Sequence, residues 1–309
     1  MYTFVYFMLF ALYLLQLLRA VPCDRGTITR DHDEAFNMLI AGGVLPDNGK
    51  YASHVVSIRT LEMIEYPGDN HFCTGVIISS TTILTAAHCV TDKYKSVMNP
   101  RALLIVFGSV YRLENYGRED SRRVQHIKVH YAYVRYKKFD AALLHLRKRI
   151  PPNMRHAQPV LKRDTVRKPI MQTTCVTIGW GQVYPHGPYS NELMFLDISI
   201  RPHEYCKRVP HYDEDSNLCG EPHAEGQVCP GDLGGPLLCH DVLSGIIGGS
   251  QKCEGKHALK FVNYTTIEHW VEDTLIEFSR GSNKCLTFIL TVFTILRTLI
   301  QTVKRKTVL

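Results

Sequence analysis

Residues 231–237 read Gly-Asp-Leu-Gly-Gly-Pro-Leu, and this stretch decides how the rest of the chain is interpreted. Three glycines and one proline in seven positions are typical of a loop whose backbone adopts angles that other side chains forbid. The third position of such a loop is where a hydrolase would place its nucleophile, and here that residue is Leu233. The stretch therefore indicates the scaffold of an enzyme and leaves its chemistry in question.

The remainder of the chain predicts a β-rich body. The chain has 309 residues, of which 45% are hydrophobic, so it is long enough to bury a substantial core. Between residues 51 and 265 the apolar runs are short, rich in valine, isoleucine and threonine, and separated by turn-forming residues. They sustain no helical period, which predicts an antiparallel all-β barrel or sandwich. A single helix is expected after Thr265, with Thr265 and Glu268 as a capping box and its end near Arg280.

The N-terminus and the cysteines predict a secreted chain. A long apolar run ends at the small residue Ala20, which predicts a signal peptide over residues 1–20. No positive charge precedes that run, so an uncleaved anchor is the alternative. Ten cysteines in such a chain indicate disulfides rather than metal ligands, and we expect no metal or other cofactor. Asn263 begins an Asn-Tyr-Thr triplet and is a predicted glycan acceptor if it is exposed.

Basic residues are concentrated between positions 118 and 149, within a chain whose formal net charge is +7. The simpler interpretation is a solvated face, and the alternative is a surface that binds a polyanion such as heparan sulfate or an acidic protein. We expect no nucleic-acid partner. The cluster consists of Arg118, Arg122, Arg123, Lys128, Arg135, Lys137, Lys138, Arg147, Lys148 and Arg149.

The C-terminal tail, residues 282–309, differs in composition from the body. Its apolar residues 285–303 would form a helix of about 28 Å, close to the hydrocarbon thickness of a bilayer. Lys304 to Lys306 follow at the end that would suit the cytoplasmic side. Threonines recur in the tail at steps of three and four, which instead favours an interfacial or partner-binding helix. Both interpretations stay open.

Two further motifs precede the opening stretch. Residues 85–89 read Thr-Ala-Ala-His-Cys and contain His88, and Asp140 stands at the head of an apolar run. Taken singly, such residues are usually a satisfied polar side chain and a turn residue. In this order, within a cysteine framework and followed by residues 231–237, they resemble the chymotrypsin and trypsin family of serine proteases. The resemblance covers residues 40–281.

The resemblance implies two six-stranded antiparallel β-barrels, a cleft between them and a C-terminal helix. His88 would be the general base and Asp140 the carboxylate that fixes its tautomer, while Gly231 and Asp232 belong to the oxyanion loop. Cys23 and Cys285 are left over, and they are free, joined to each other or joined to another chain. The implied disulfides are Cys73–Cys89, Cys175–Cys239, Cys206–Cys219 and Cys229–Cys253.

The site departs from the family's pattern where the chemistry is done. Leu233 has no hydroxyl to attack a carbonyl, and loss of the nucleophile costs about six orders of magnitude in turnover. Gln227 stands at the base of the specificity pocket, so arginine and lysine substrates find no charge partner there. The rim segment is Gly248-Gly249-Ser250, which lacks the aromatic wall that the family places there.

The activation site has changed as well. Activation in the family frees an amine that pairs with the aspartate before the nucleophile, and Ile40 and Asp232 are the corresponding residues. The residue before Ile40 is Leu39, not the basic residue that activating proteases prefer. Either another protease cleaves there or the chain remains uncut, and residues 21–39 form a short pro-like segment.

We therefore expect a secreted protease homologue without proteolytic activity that binds a protease, an inhibitor, a receptor or a matrix component. One alternative is an endopeptidase with residual or unusual activity that relies on the retained His88 and Asp140. The other is a membrane-tethered homologue whose location is set by residues 285–303.

Overall fold

The structure, a computed structural model, describes residues 51–280 except 115–116, 162–172, 224–225, 250–252 and 254–257. The predicted signal peptide, the pro-like segment and the tail lie outside the described residues. So do Leu39, Ile40, Ser250 and the two unassigned cysteines, Cys23 and Cys285. No helix in the described part of the chain is long and apolar enough to cross a membrane.

The first half of the described chain forms a closed barrel of six antiparallel strands. Their order around the barrel is β1-β2-β3-β6-β5-β4, so every strand has two neighbours and no edge is left unpaired. Apolar side chains from facing strands fill the interior and exclude water from it. The strands are β1 (Val55–Thr60), β2 (His71–Ser79), β3 (Thr82–Thr85), β4 (Leu103–Phe107), β5 (Ser121–Val129) and β6 (Ala142–Leu146).

The second half forms a second closed barrel, in the order β10-β11-β12-β9-β8-β7. The prediction of two six-stranded antiparallel barrels is confirmed. A short helix, α1 (His203–Cys206), precedes the third strand of this barrel. The strands are β7 (Thr174–Gly179), β8 (Met194–Ile200), β9 (Asn217–Pro222), β10 (Pro236–Cys239), β11 (Val242–Ile247) and β12 (Leu259–Asn263).

The predicted C-terminal helix, α2, covers residues 264–280. Its cap is not the predicted Thr265, because the Oδ1 atom of Asn263 accepts hydrogen bonds from the backbone N–H and hydroxyl of Thr265 at 3.2 and 2.9 Å. An asparagine at the N-cap satisfies a helix N–H that would otherwise lack a partner. The prediction of Asn263 as a glycan acceptor required an exposed side chain, and Asn263 is only 2% exposed.

Four disulfides crosslink the barrels internally, in the pairs that the family resemblance implies. Cys73–Cys89 lies in the first barrel. The other three, Cys175–Cys239, Cys206–Cys219 and Cys229–Cys253, lie in the second. Each closes a loop of the chain and so restricts the unfolded ensemble.

Candidate active site

The three residues predicted for the catalytic positions come from both barrels. His88 lies in a 3-10 turn (Ala87–Cys89) soon after β3, and Asp140 lies just before β6. Leu233 lies in the loop before β10 of the second barrel, and its side chain packs against the apolar cores of both barrels. The backbone N–H of Thr74 in β2 donates to the Leu233 carbonyl at 2.9 Å. The loop that carries Leu233 is therefore seated between the barrels.

His88 and Asp140 form a tightly bonded pair. The Nδ1 atom of His88 lies 2.7 Å from Oδ2 of Asp140, and the backbone N–H of His88 donates to Oδ1 at 2.9 Å. The backbone N–H of Gly249 donates to Oδ2 at 3.0 Å. Burial alone would raise the pKa of the Asp140 carboxyl, but His88 and these N–H donors outweigh it and lower that pKa. The carboxylate stays ionised and holds the imidazole proton on Nδ1.

The second ring nitrogen of His88, Nε2, is buried and has no hydrogen-bond partner among the described residues. Leu233, the residue predicted at the nucleophile position, has only carbon atoms in its side chain and cannot supply a hydrogen-bond partner. A buried polar atom without a partner costs about 1–3 kcal/mol. The pair can hold a proton, but no described hydroxyl delivers one to it.

The backbone of the 229–235 loop keeps its shape through its glycines. Gly234 has a φ of +84°, and a Cβ there would lie 2.1 Å from Oγ1 of Thr85. Gly231 has a φ of +101°. The N–H groups of Gly231 and Leu233 donate no hydrogen bond to any residue that the structure describes. The loop therefore retains two free donors of the kind that stabilise an oxyanion.

Asp232 is fully enclosed beneath this loop and is 1% exposed. Its carboxyl accepts backbone hydrogen bonds from Gly181 at 2.6 Å and from Cys229 at 2.9 Å. Burial raises the pKa of Asp232 to about 7, against the lowering effect of those two donors. No described cation pairs with it, and Ile40 lies outside the described residues.

Gln227, the residue predicted at the base of the specificity pocket, carries no charge. Gln227 is half-buried, and its Oε1 atom is buried without a partner among the described residues. An amide at this position cannot form the ion pair that selects an arginine or lysine side chain. Gly249, on the rim, has a φ of +77°, and a Cβ there would lie 2.6 Å from Cε of Lys260.

Lys260 is a residue of this region that the sequence interpretation missed. It is 4% exposed, and its Nζ atom donates to the carbonyl oxygens of Tyr136 and His211. The ring of Tyr136 lies 5.7 Å from the ring of His88, centroid to centroid. A lysine within an apolar strand, Leu-Lys-Phe-Val, was the one signal in the sequence that could have drawn attention to it.

One group of side chains has the composition of a metal site. In the described part of the chain, Cys73, His88 and Cys89 lie close enough together to hold an ion. Both sulfurs belong to the Cys73–Cys89 disulfide, so neither is a thiolate that binds a metal. The residues present do not fit a metal ion.

The ten basic residues predicted as one cluster have different environments. Lys128 forms an ion pair with Glu277 of α2 at 3.0 Å. Arg122 and Arg135 donate to backbone carbonyl groups of neighbouring loops. These three side chains are therefore engaged in holding the fold.

A smaller basic strip remains free, formed by Arg123 of β5 and by Arg147, Lys148 and Arg149 after β6. The backbone N–H of Arg147 donates to the carbonyl of Arg123 at 2.8 Å, which brings the two segments side by side. All four residues are exposed, and none forms an ion pair within the described part of the chain. The strip concentrates positive charge on the first barrel.

Comparison with known proteins gives a consistent result. The family model described as trypsin matches residues 42–271. Kallikrein-1 of Mus musculus is 28% identical over 229 residues, which cover 66% of this chain and 80% of that protein. Granzyme M of Rattus norvegicus is 31% identical over 191 residues, which cover 59% of this chain and 70% of that protein.

Solved structures share the fold. One described as "Structure of GrC" aligns with a TM-score of 0.63 at 19% identity, covering 76% of this chain and 98% of that one. Human heparin binding protein aligns with a TM-score of 0.60 at 22% identity, covering 76% of this chain and 96% of that one.

Proposed function

The chain belongs to the trypsin family of serine proteases, and we propose that it is a non-proteolytic member that acts by binding a protein partner. The observation that carries the proposal is that Nε2 of His88 is buried with no partner among the described residues, and that Leu233 stands at the position where we expect the hydroxyl. The proposed partners are a protease, an inhibitor, a receptor or a matrix component.

The chemical argument is that peptide hydrolysis in this family begins with an oxygen that attacks the scissile carbonyl and passes its proton to the base. Leucine has neither lone pair nor proton to contribute. Ser244 does not replace it, because its hydroxyl donates to the Val242 carbonyl within β11 at 3.2 Å. What remains of catalysis is binding and the two free N–H groups of the loop, which leaves turnover about six orders of magnitude below that of an intact triad.

The retained scaffold supports a binding role. Both barrels, four disulfides and the glycine-dependent loop preserve a rigid surface even though the chemistry on it has lost its nucleophile. Folds of this kind keep their architecture while their sites change function. The disulfides also support a secreted location, because such bonds form and persist in oxidising compartments. Residues 285–303 are the proposed determinant of any membrane attachment.

The test of this proposal is labelling and turnover by the purified secreted chain. The chain, its His88→Ala variant and an active trypsin-family protease are treated with an active-site phosphonate and a peptide ester. We expect an adduct and turnover only with the active protease. An adduct on this chain that disappears in the His88→Ala variant would establish the alternative, a hydrolase with unusual chemistry.

A second candidate function, polyanion binding, is favoured by the basic strip. Its four exposed cations lack carboxylate partners among the described residues. Sulfated glycans present closely spaced negative charges that would serve as such partners. Because the attraction is between exposed charges, salt should weaken it.

The matched comparison uses two double variants of equal charge. Arg147→Ala/Arg149→Ala changes the strip, and Lys207→Ala/Arg208→Ala removes two exposed cations of the second barrel. The first should elute from immobilised heparin at lower salt than the second, whereas both should elute together from a sulfopropyl resin. Equal elution from heparin would leave only net charge as the cause and refute a specific site.

A further inference from the structure

Lys260 connects the two barrels beside the catalytic pair. It projects from β12 of the second barrel, and its ammonium donates to the carbonyl of Tyr136 and, at 3.1 Å, to that of His211. Tyr136 belongs to the loop between β5 and β6 of the first barrel, and His211 to the loop between α1 and β9 of the second. One side chain thus holds a loop from each side of the cleft.

The volume that the Lys260 side chain fills lies next to Gly249 of the rim segment. A Cβ on Gly249 would lie 2.6 Å from Cε and 3.0 Å from Nζ of Lys260. Any side chain at position 249 would therefore displace the lysine, and the family's aromatic wall at this rim would do so as well. The N–H of Gly249 still donates to Asp140, so the rim keeps its attachment to the catalytic pair while its side-chain volume is taken by the lysine.

Both carbonyl groups that the ammonium binds belong to residues with strained backbones. Tyr136 and His211 each have a φ of +58°, in the left-handed region that non-glycine residues seldom occupy. Phe139, in the same loop as Tyr136, has a φ of +50°. Such conformations persist only where surrounding contacts hold them. Lys260 contacts one such strained residue on each side of the cleft, Tyr136 and His211.

The charge of the ammonium is compensated inside the protein. Burial lowers the pKa of Lys260 to about 8, against the attraction of Asp140 and Asp213, which raises it. The lysine therefore keeps its charge at neutral pH. A buried cation bonded to two backbone carbonyls and attracted by nearby carboxylates is fixed in position rather than free to follow a ligand.

We propose that Lys260 is a latch that holds the two loops together and excludes an extended peptide from the groove beside His88. This inference rests on the proposed binding function and refines it: the partner is not bound as an extended peptide in that groove. Turnover of an ester would defeat the non-proteolytic proposal without affecting the latch.

The first experiment compares Lys260→Met with Lys95→Met in the full secreted chain. Lys95 also donates to a carbonyl of the 130–139 loop, that of Tyr133 at 3.1 Å, but from the first barrel alone. Lys260→Met should raise amide hydrogen exchange at least ten-fold in both segments 130–139 and 207–216, and Lys95→Met in 130–139 only. Exchange in 207–216 that is unchanged by Lys260→Met would overturn the latch.

Peptide binding supplies a second measurement on the same proteins. A random octapeptide mixture is equilibrated with each variant, and bound peptide is counted by native mass spectrometry. Lys260→Met should bind at least ten-fold more peptide than the natural chain, while Lys95→Met should match the natural chain. Equal binding by all three would refute the exclusion of peptide from the groove.

A double-mutant cycle keeps the latch testable if Lys260→Met folds poorly. Gly249→Ala should lower the thermal midpoint of the natural chain, because the new methyl group collides with Lys260. The same change should lower it by less in a Lys260→Ala background, where the collision is relieved and only the strain of a side chain at a φ of +77° remains. Equal decreases in the two backgrounds would refute the proposed packing.

Discussion

Replacing Leu233 with serine and with alanine separates the structural role of this residue from its missing chemistry. Removing a fully buried leucine side chain costs about 2–5 kcal/mol, and for the half-buried Leu233, packed against both barrel cores, we expect about 1–2 kcal/mol. A domain of this size loses about 2–4 °C of Tm per kcal/mol, so Leu233→Ala should lower the Tm by about 2–8 °C.

Leu233→Ser loses the same packing but gains a hydrogen bond. The new hydroxyl should donate to Nε2 of His88, which now has no described partner, and such a bond contributes about 1 kcal/mol. The serine variant should therefore melt about 2–4 °C above the alanine variant, although serine is the more polar residue. Calorimetry of both variants in natural and His88→Ala backgrounds measures this, because the advantage of serine should vanish when His88 is absent.

The activity of Leu233→Ser should stay low even though all three triad positions would be filled. A phosphonate should label the variant slowly, while cleavage after arginine should remain close to background, because Gln227 offers no charge and, on the proposal above, Lys260 keeps extended peptides out of the groove. Rapid cleavage after arginine by this single variant would refute the interpretation of Gln227. A serine variant no more stable than the alanine variant would refute the interpretation of Nε2.

Three other predictions concern the loop, the pH dependence and the tail. The pKa of Asp232 is raised to about 7 in the folded chain, so the free energy of unfolding should fall as the pH rises from about 4 to about 7. Asp232→Asn should flatten this pH dependence in urea titrations, and an identical dependence in the variant would contradict the prediction. Gly234→Ala should cost about 3 kcal/mol or more, because its Cβ would lie 2.1 Å from Oγ1 of Thr85 at a positive φ; a Tm within 2 °C of the natural chain's would count against the strained turn. Deletion of residues 285–309 should move the protein from the membrane fraction to the medium if the tail is a tether, and unchanged fractionation would exclude that role.

Residues whose roles are local in sequence were the ones that could be predicted. The barrels follow from short β-branched runs between turn residues, and the motifs around His88 and Asp140 are contiguous, so their positions are readable without a structure. The helix cap was missed because Asn263 ends a strand, and the pattern considered began two residues later. A residue that ends a strand becomes a helix cap only through the backbone turn that follows it, and the sequence pattern did not reveal that turn.

Contacts between distant residues account for what the sequence did not reveal. Lys260 meets Tyr136 and His211, which lie 124 and 49 positions away, so no spacing rule connects them. The basic cluster looked continuous along the chain, yet folding engages Arg122, Lys128 and Arg135 in separate contacts and brings Arg123 beside residues 147–149, none of which forms an ion pair with a described residue. Side-chain pairing of this kind depends on tertiary placement rather than on composition.

The unmatched imidazole of His88 has a consequence for detection and for inhibition. Reagents that label proteases in tissue extracts report a covalent bond to a reactive oxygen, so on the proposed function they should leave this protein unlabelled. Inhibitors that capture their target as a trapped acyl ester should pass it by for the same reason. On the proposed binding function, the concentration of the protein relative to that of its partner, rather than any rate of chemistry, would set its biological effect.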